Sequence, residues 1–250
     1  MEATRANADA VADHGIDEIA AHYATYLATQ PSRPIVIGHS FGGLHADKLL
    51  GDGHAIAGVG IDAAPIKGVL PLPISALRVA FVALKNPGNI DAAVSLTKKA
   101  VPLRLRQRNQ RGQLRELFDK WAIPSRGRPL FQAASANFNP HAQTKVDTNN
   151  QDRGPLLPTM GGKDHTVPEA VSKWTYKRYR HSQATTHLTE FADRGHSLTI
   201  DHAWRENADS VLSWLNANGI RDSQPLVRRE ATSLPHRASE RRPNGCNTSN

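Results

Sequence analysis

Ser40, Asp164 and His196 are the residues whose types and settings could do chemistry together. Ser40 lies in Gly38-His39-Ser40-Phe41-Gly42-Gly43, a Gly-x-Ser-x-Gly pattern. The β-branched run Ile35-Val36-Ile37 precedes it, and a helix-like segment follows at Leu44 to Leu50. Strand, sharp turn and helix are what a nucleophile elbow needs. Such a turn forces the serine into a strained backbone conformation. Gly38 and Gly42 are expected to let strand and helix pass close together. The Ser40 hydroxyl would then project from the sheet edge, with the Phe41 backbone amide aimed at the same spot as an oxyanion donor. A serine hydroxyl is a poor nucleophile until a base takes its proton, and the base needs a carboxylate to hold its tautomer. Asp164 follows an apolar, strand-like stretch at Pro155 to Met160, and His196 follows another at Thr185 to Phe191. In a parallel sheet all three would share one carboxyl edge. The order Ser, Asp, His is the one this kind of elbow uses.

Each residue has a plainer job open to it. Asp164 is well placed to cap a helix ahead of Val167-Pro168-Glu169. His196 could be one surface histidine among twelve. Asp62, at the end of the strand after the elbow, and Asp193, close to His196, are competing acids. His39 is expected to pack beside the elbow, and His165 and His202 are neighbours rather than bases. No metal or cofactor is expected. His181 and His187 pair across a turn, with no acid at ligand spacing, and the single cysteine is Cys246. Gly161-Gly162-Lys163 lacks the first glycine and the spacing of a phosphate loop.

The elements that would carry these residues alternate. Ile16, Ile19, Ala20, Tyr23 and Leu27 recur at helical spacing up to Gln30-Pro31. The strand at Ile35, the elbow and its helix follow. Ala55 to Ile61 is apolar throughout, as in a parallel strand buried on both faces. Helices are expected from Glu169 to Tyr179 and from His202 to Asn216. This rhythm predicts an α/β fold with helices on both faces of a mostly parallel sheet. Residues 1–65 and 151–218 form its two parts. Between them, 66–150 is broken by Pro71, Pro73, Pro87, Pro102, Pro124, Pro129 and Pro140 into short helical pieces. That is too long for a plain loop, so an inserted helical cap is expected. From 219 to 250 the composition turns to Arg, Ser, Pro and Asn, and a disordered basic tail is expected.

The chain has 250 residues and a formal charge of +8. Lys98 to Arg115 holds seven basic residues and no acid, and the tail adds Arg228, Arg229, Arg237, Arg241 and Arg242. Neither stretch interleaves aromatics for base stacking, so both read as a solvated face and a loose tail rather than a nucleic-acid surface. No apolar run nears a membrane-spanning length, and the N-terminus lacks a signal pattern. A cytoplasmic location is therefore expected. Nothing specifies an oligomeric state.

With these motifs in place, the chain resembles the α/β-hydrolases, closest to actinomycete-type enzymes. The segments 38–43, 161–168 and 195–197 are similar to the family's nucleophile, acid and histidine segments. The resemblance implies a serine hydrolase without cofactor, acting on a small carboxylic ester or related acyl compound. Ser40 would be the nucleophile, His196 the base and Asp164 its orienting acid. The apolar Val69 to Leu84 would shape an acyl pocket, and perhydrolysis by the same three residues is a related outcome. It also implies four strands and a helix ahead of the helix near Gly15, including a loop that supplies a second oxyanion donor. Fourteen residues stand there. The first half of the sheet is thus expected to be missing, through a late start codon or a truncated gene product, with the former favoured, and the elbow strand is expected to become an edge. The lost donor would lower turnover by about 10²–10³. A non-catalytic, ligand-binding protein is the alternative.

Overall fold

A computed structural model of the chain describes residues 6–7, 14–70, 81, 84–94, 116 and 119–220. The basic run at 98–115, the tail at 221–250 and the residues 71–80 expected to shape an acyl pocket lie outside the described residues.

Helix α1 (Ile16–Ala28) buries Ile16 and Ala20 and leads through Pro31 and Pro34 into strand β1 (Ile35–His39). Helix α2 (Phe41–Gly51) starts directly after Ser40, three residues earlier than the helical pattern suggested. Strand β2 (Ala57–Ile61) is buried along its whole length. A second part of the core follows: β5 (Leu156–Gly161), helix α4 (Glu169–Arg178), β6 (Thr189–Phe191) and helix α5 (Trp204–Ala217). The strand expected from Thr185 is shorter than its alternating pattern, because Thr186 makes only an isolated bridge to Leu156.

The four strands form one parallel sheet in the order β1-β2-β5-β6. Parallel strands bring all their carboxyl ends to one rim, and crossover helices cover the faces. On one face, Ala57, Val59, Ile61, Leu157 and Phe191 pack against Val211 and Leu215 of α5. On the other, Leu50 of α2 packs with Leu156 and Tyr179, while Leu44 packs with Val167 and Val171 at α4. Burying each such aliphatic side chain contributes about 1.5–3 kcal/mol before chain entropy is set against it. The fold is α/β, with helices on both faces of a parallel sheet. Among the described residues β1 is an edge of that sheet, and Ile37 is 56% exposed there.

Within 66–150 the described pieces are short. A 3₁₀ turn spans Pro87–Ile90, and helix α3 (Arg128–Ser135) runs on into a second turn at Ala136–Phe138. The expectation of helices alone missed a small ladder: β3 (Ala93–Val94) pairs antiparallel with β4 (Ser125–Arg126). The segment is tied to the core by side chains. Gln132 accepts from the Ile16 amide at 2.9 Å, and Lys48 of α2 donates to the Lys145 carbonyl at 2.9 Å. No helix among the described residues is long and apolar enough to cross a membrane.

Candidate active site

Ser40 occupies the turn between β1 and α2 with φ 56° and ψ −119°. That conformation is costly for a residue with a Cβ, on the order of 1–3 kcal/mol, and persists only where the surroundings enforce it. Here the backbone does so. The Ser40 amide donates to the Ile61 carbonyl at 2.9 Å. Its carbonyl accepts from Gly43 at 2.9 Å, Leu44 at 3.2 Å and Ala64 at 2.9 Å. The turn is thereby fastened to the end of β2 as well as to its own helix.

Two glycines make the turn possible, and one differs from expectation. A Cβ on Gly38 would lie 1.9 Å from the Gly42 carbonyl oxygen. A Cβ on Gly43 would lie 2.7 Å from that of Ala63. A Cβ on Gly42 would meet nothing within 4 Å, so the close approach belongs to Gly38 and Gly43 rather than to Gly42. The Phe41 amide opens α2 and donates to no acceptor among the described residues, as an oxyanion donor must.

Asp164 and His196 meet at the same rim. His196 Nδ1 donates to Asp164 Oδ2 at 2.7 Å, and the Asp164 side chain is fully buried. The other carboxylate oxygen accepts from the amides of Thr166 at 2.6 Å and Val167 at 3.0 Å. Asp164 does not cap the following helix, whose N-cap is Pro168 without a side-chain bond; its carboxylate instead holds the local turn and the imidazole together. The loops that carry acid and histidine lie against each other. The Lys163 amide donates to the Arg194 carbonyl at 2.8 Å, and a Cβ on Gly161 or Gly162 would come within 2.6 Å of a carbonyl in that loop. This contact accounts for the glycine pair. Arg194 pairs with Asp201 and Glu206 and so clamps the far side of the histidine loop.

Asp193 is a mostly exposed side chain paired with Lys163 at 2.5 Å, not with the imidazole. His165 and His202 are exposed. His39 and Asp62, by contrast, both lie at the centre of the site. Register explains it: His39 pairs with Ile61, so Asp62 is one residue beyond, on the neighbouring strand end. The His39 ring lies 4.6 Å from the His196 ring, tilted by 49°, and its Nε2 donates to the His196 carbonyl at 2.6 Å. Asp62, with φ 43°, is fully buried, and its Oδ1 accepts from the Gly161 amide at 2.8 Å. The signal that finds both residues is adjacency in the sheet. Each closes a strand at the elbow, although His39 is only a variable position of the Gly-x-Ser-x-Gly pattern and Asp62 belongs to no spaced motif.

The charges are coupled. Burial pulls the His196 pKa down, but its hydrogen bond to Asp164 and the charges of Asp164 and Asp62 outweigh this, and the net shift is upward from 6.5. Burial and the charge of His196 lower His39 to about 4, so it is a neutral ring near pH 7. Burial and the neighbouring Asp164 push Asp62 up to about 7. Among the described residues the Ser40 hydroxyl makes no hydrogen bond to His196. Such contacts are often long before substrate arrives. Two cavities, of 370 and 610 Å³, lie elsewhere; Thr148, Asn149 and Arg178 line both.

The sequence pattern described as the alpha/beta hydrolase family matches residues 3–209. No curated protein matches the chain. Among solved structures, the chain is similar to a monoacylglycerol lipase of Paleococcus ferrophilus, at 18% identity and a TM-score of 0.56, with 82% of this chain and 76% of that one covered. A Mycobacterium tuberculosis protein described as a non-heme bromoperoxidase gives 15% identity and a TM-score of 0.60, over 84% and 76% of the two chains. A thermophilic esterase gives 18% identity and a TM-score of 0.54, over 83% and 75%. At these identities the likeness is one of fold.

Proposed function

This chain belongs to the alpha/beta hydrolase family, and from that premise we propose that it is a serine hydrolase acting on carboxylic esters or related acyl compounds. Ser40 attacks the carbonyl carbon, and His196 accepts the hydroxyl proton on Nε2. Asp164 keeps the imidazole in the tautomer that leaves this nitrogen unprotonated. The Phe41 amide stabilises the oxyanion of the tetrahedral intermediate. His196 then returns the proton to the departing alcohol, and water repeats the cycle on the acyl-enzyme. Residues 66–150 cap the acyl pocket. The similarity to an esterase and a monoacylglycerol lipase agrees with an acyl substrate. The similarity to a protein described as a bromoperoxidase keeps perhydrolysis, with peroxide in place of water, as a variant of the same chemistry.

One observation carries the reading. A buried carboxylate holds a histidine at the rim where a strained serine closes the neighbouring turn. In the test, a fluorophosphonate probe labels the wild-type chain at Ser40 and leaves Ser40→Ala unlabelled. Hydrolysis of short p-nitrophenyl esters falls at least about 10³-fold in that variant. A Ser40→Ala protein as fast as wild type rules the proposal out.

A second reading, a ligand-binding protein without turnover, is favoured by the missing bond between the Ser40 hydroxyl and His196. It requires that the probe leave Ser40 untouched in the wild-type chain.

A further inference from the structure

A ring nitrogen of His39, a carboxylate oxygen of Asp62 and a ring nitrogen of His196 lie within 4.8 Å of one another. They come from three parts of the chain and meet only because β1, β2 and β6 end at one rim. The serine hydrolase proposed above uses His196 alone of the three. His39 and Asp62 are left with no task there.

Both imidazoles are already oriented as metal ligands are. A metal-bound histidine gives its other ring N–H to a carboxylate or a backbone carbonyl, which fixes the tautomer. His196 gives Nδ1–H to Asp164 Oδ2 at 2.7 Å, and His39 gives Nε2–H to the His196 carbonyl at 2.6 Å. Each ring then has one nitrogen with a free lone pair.

Asp62 supplies the independent sign. It is fully buried; Oδ1 accepts from the Gly161 amide, and the carboxyl group lies against the Asp164 carboxylate, with Oδ2 receiving no N–H or O–H donor among the described residues. A buried carboxylate oxygen left bare is costly and calls for a proton or a cation. Two neutral imidazoles and one carboxylate form a donor set suited to zinc, with a fourth position left for water. Bonds of about 2.0–2.2 Å at tetrahedral angles put donors roughly 3.3–3.5 Å apart. Binding a metal would draw the three donors together from their present spacing of up to 4.8 Å.

We propose that His39, Asp62 and His196 form a Zn²⁺ site, and that zinc bound there is a reversible inhibitor of the hydrolase rather than its cofactor. The inhibitory half rests on the reading of His196 as the base, since zinc occupies the nitrogen that must accept the serine proton. Zinc binding itself does not depend on that reading.

Binding is measured on the full chain, stripped with EDTA, by competition against a chromophoric zinc chelator. One zinc per chain is expected. Asp62→Asn and His39→Asn should each weaken it at least about 10-fold, and Asp164→Asn, acting through His196, about 10–100-fold. Ser40→Ala should bind as wild type does. Should the variants fail to fold, the unaltered chain answers by NMR: Zn²⁺ moves the imidazole resonances of His39 and His196 and leaves those of the exposed His165 and His202 in place. Zinc should also block fluorophosphonate labelling of Ser40, and EDTA should restore it.

Absence of stoichiometric binding overturns the site, as does binding that Asp62→Asn and His39→Asn leave unchanged or shifts confined to other histidines. Zinc held at His39 and His196 with labelling undiminished overturns the inhibition. A wild-type chain that binds zinc but never labels refutes the hydrolase and leaves the metal site standing.

Discussion

At the scale of single residues, the proposed mechanism makes His196, as the base, the source of pH dependence. The Asp164 hydrogen bond and the neighbouring carboxylates lift His196 above 6.5 against the downward pull of burial. A base works only when neutral, so the acid limb of kcat/KM should fall above pH 6.5. Asp164→Asn removes two of the three upward pulls and leaves only the charge of Asp62 against burial, so the limb should move to lower pH while the rate drops about 10⁴-fold. A pH–rate profile of both proteins checks this, and a limb that stays in place contradicts it. Ser40, Asp164 and His196 were legible in the sequence because each sits in a local pattern: a glycine-flanked turn, or a polar residue closing an apolar run. His39 and Asp62 were named only as a packing residue and a competing acid. Their convergence with His196 depends on which strands are neighbours and in what register, and no single segment encodes that.

At the scale of elements, the strand–turn–helix unit is held by close backbone approach. Gly38 faces a carbonyl that a methyl group would strike at 1.9 Å, whereas Gly42 faces open space. Gly38→Ala should therefore cost about 3 kcal/mol or more. Gly42→Ala should stay within about 0.5 kcal/mol. Urea denaturation of the two variants separates them, and equal losses would contradict this account of the turn. Element types and order were legible from helical periodicity at Ile16–Ala28 and Trp204–Ala217 and from the unbroken apolar run at Ala57–Ile61. Which glycine is crowded was not, since the Gly-x-Ser-x-Gly spacing is the same whichever glycine the neighbouring chain touches. The β3–β4 ladder was missed because each strand is two residues long, too short for alternation to register.

At the scale of the whole molecule, buried ionisable groups away from the site shape stability. Asp47 of α2 is buried beside Arg153 and Tyr179, and burial raises it to about 7 despite their opposing pull. Its folded pKa thus lies above its unfolded one. The native chain keeps a proton that the unfolded chain releases, so this residue's contribution to stability declines as pH rises from about 4 to about 7. Asp47→Asn abolishes that decline. The melting temperature of the variant minus that of the wild type should be larger at pH 8 than at pH 5, and a pH-independent difference would count against it. The overall architecture was legible because the strands are apolar, short and separated by amphipathic helices. The carbonyl of Ser40 receives amides from positions 43, 44 and 64, while its own amide reaches position 61. The device that presents the hydroxyl therefore has two halves, and only one of them is contiguous. A protein engineer who grafted residues 38–43 onto a foreign scaffold would transplant a sentence without its grammar. The adjoining strand end, residues 61–64, has to travel with it.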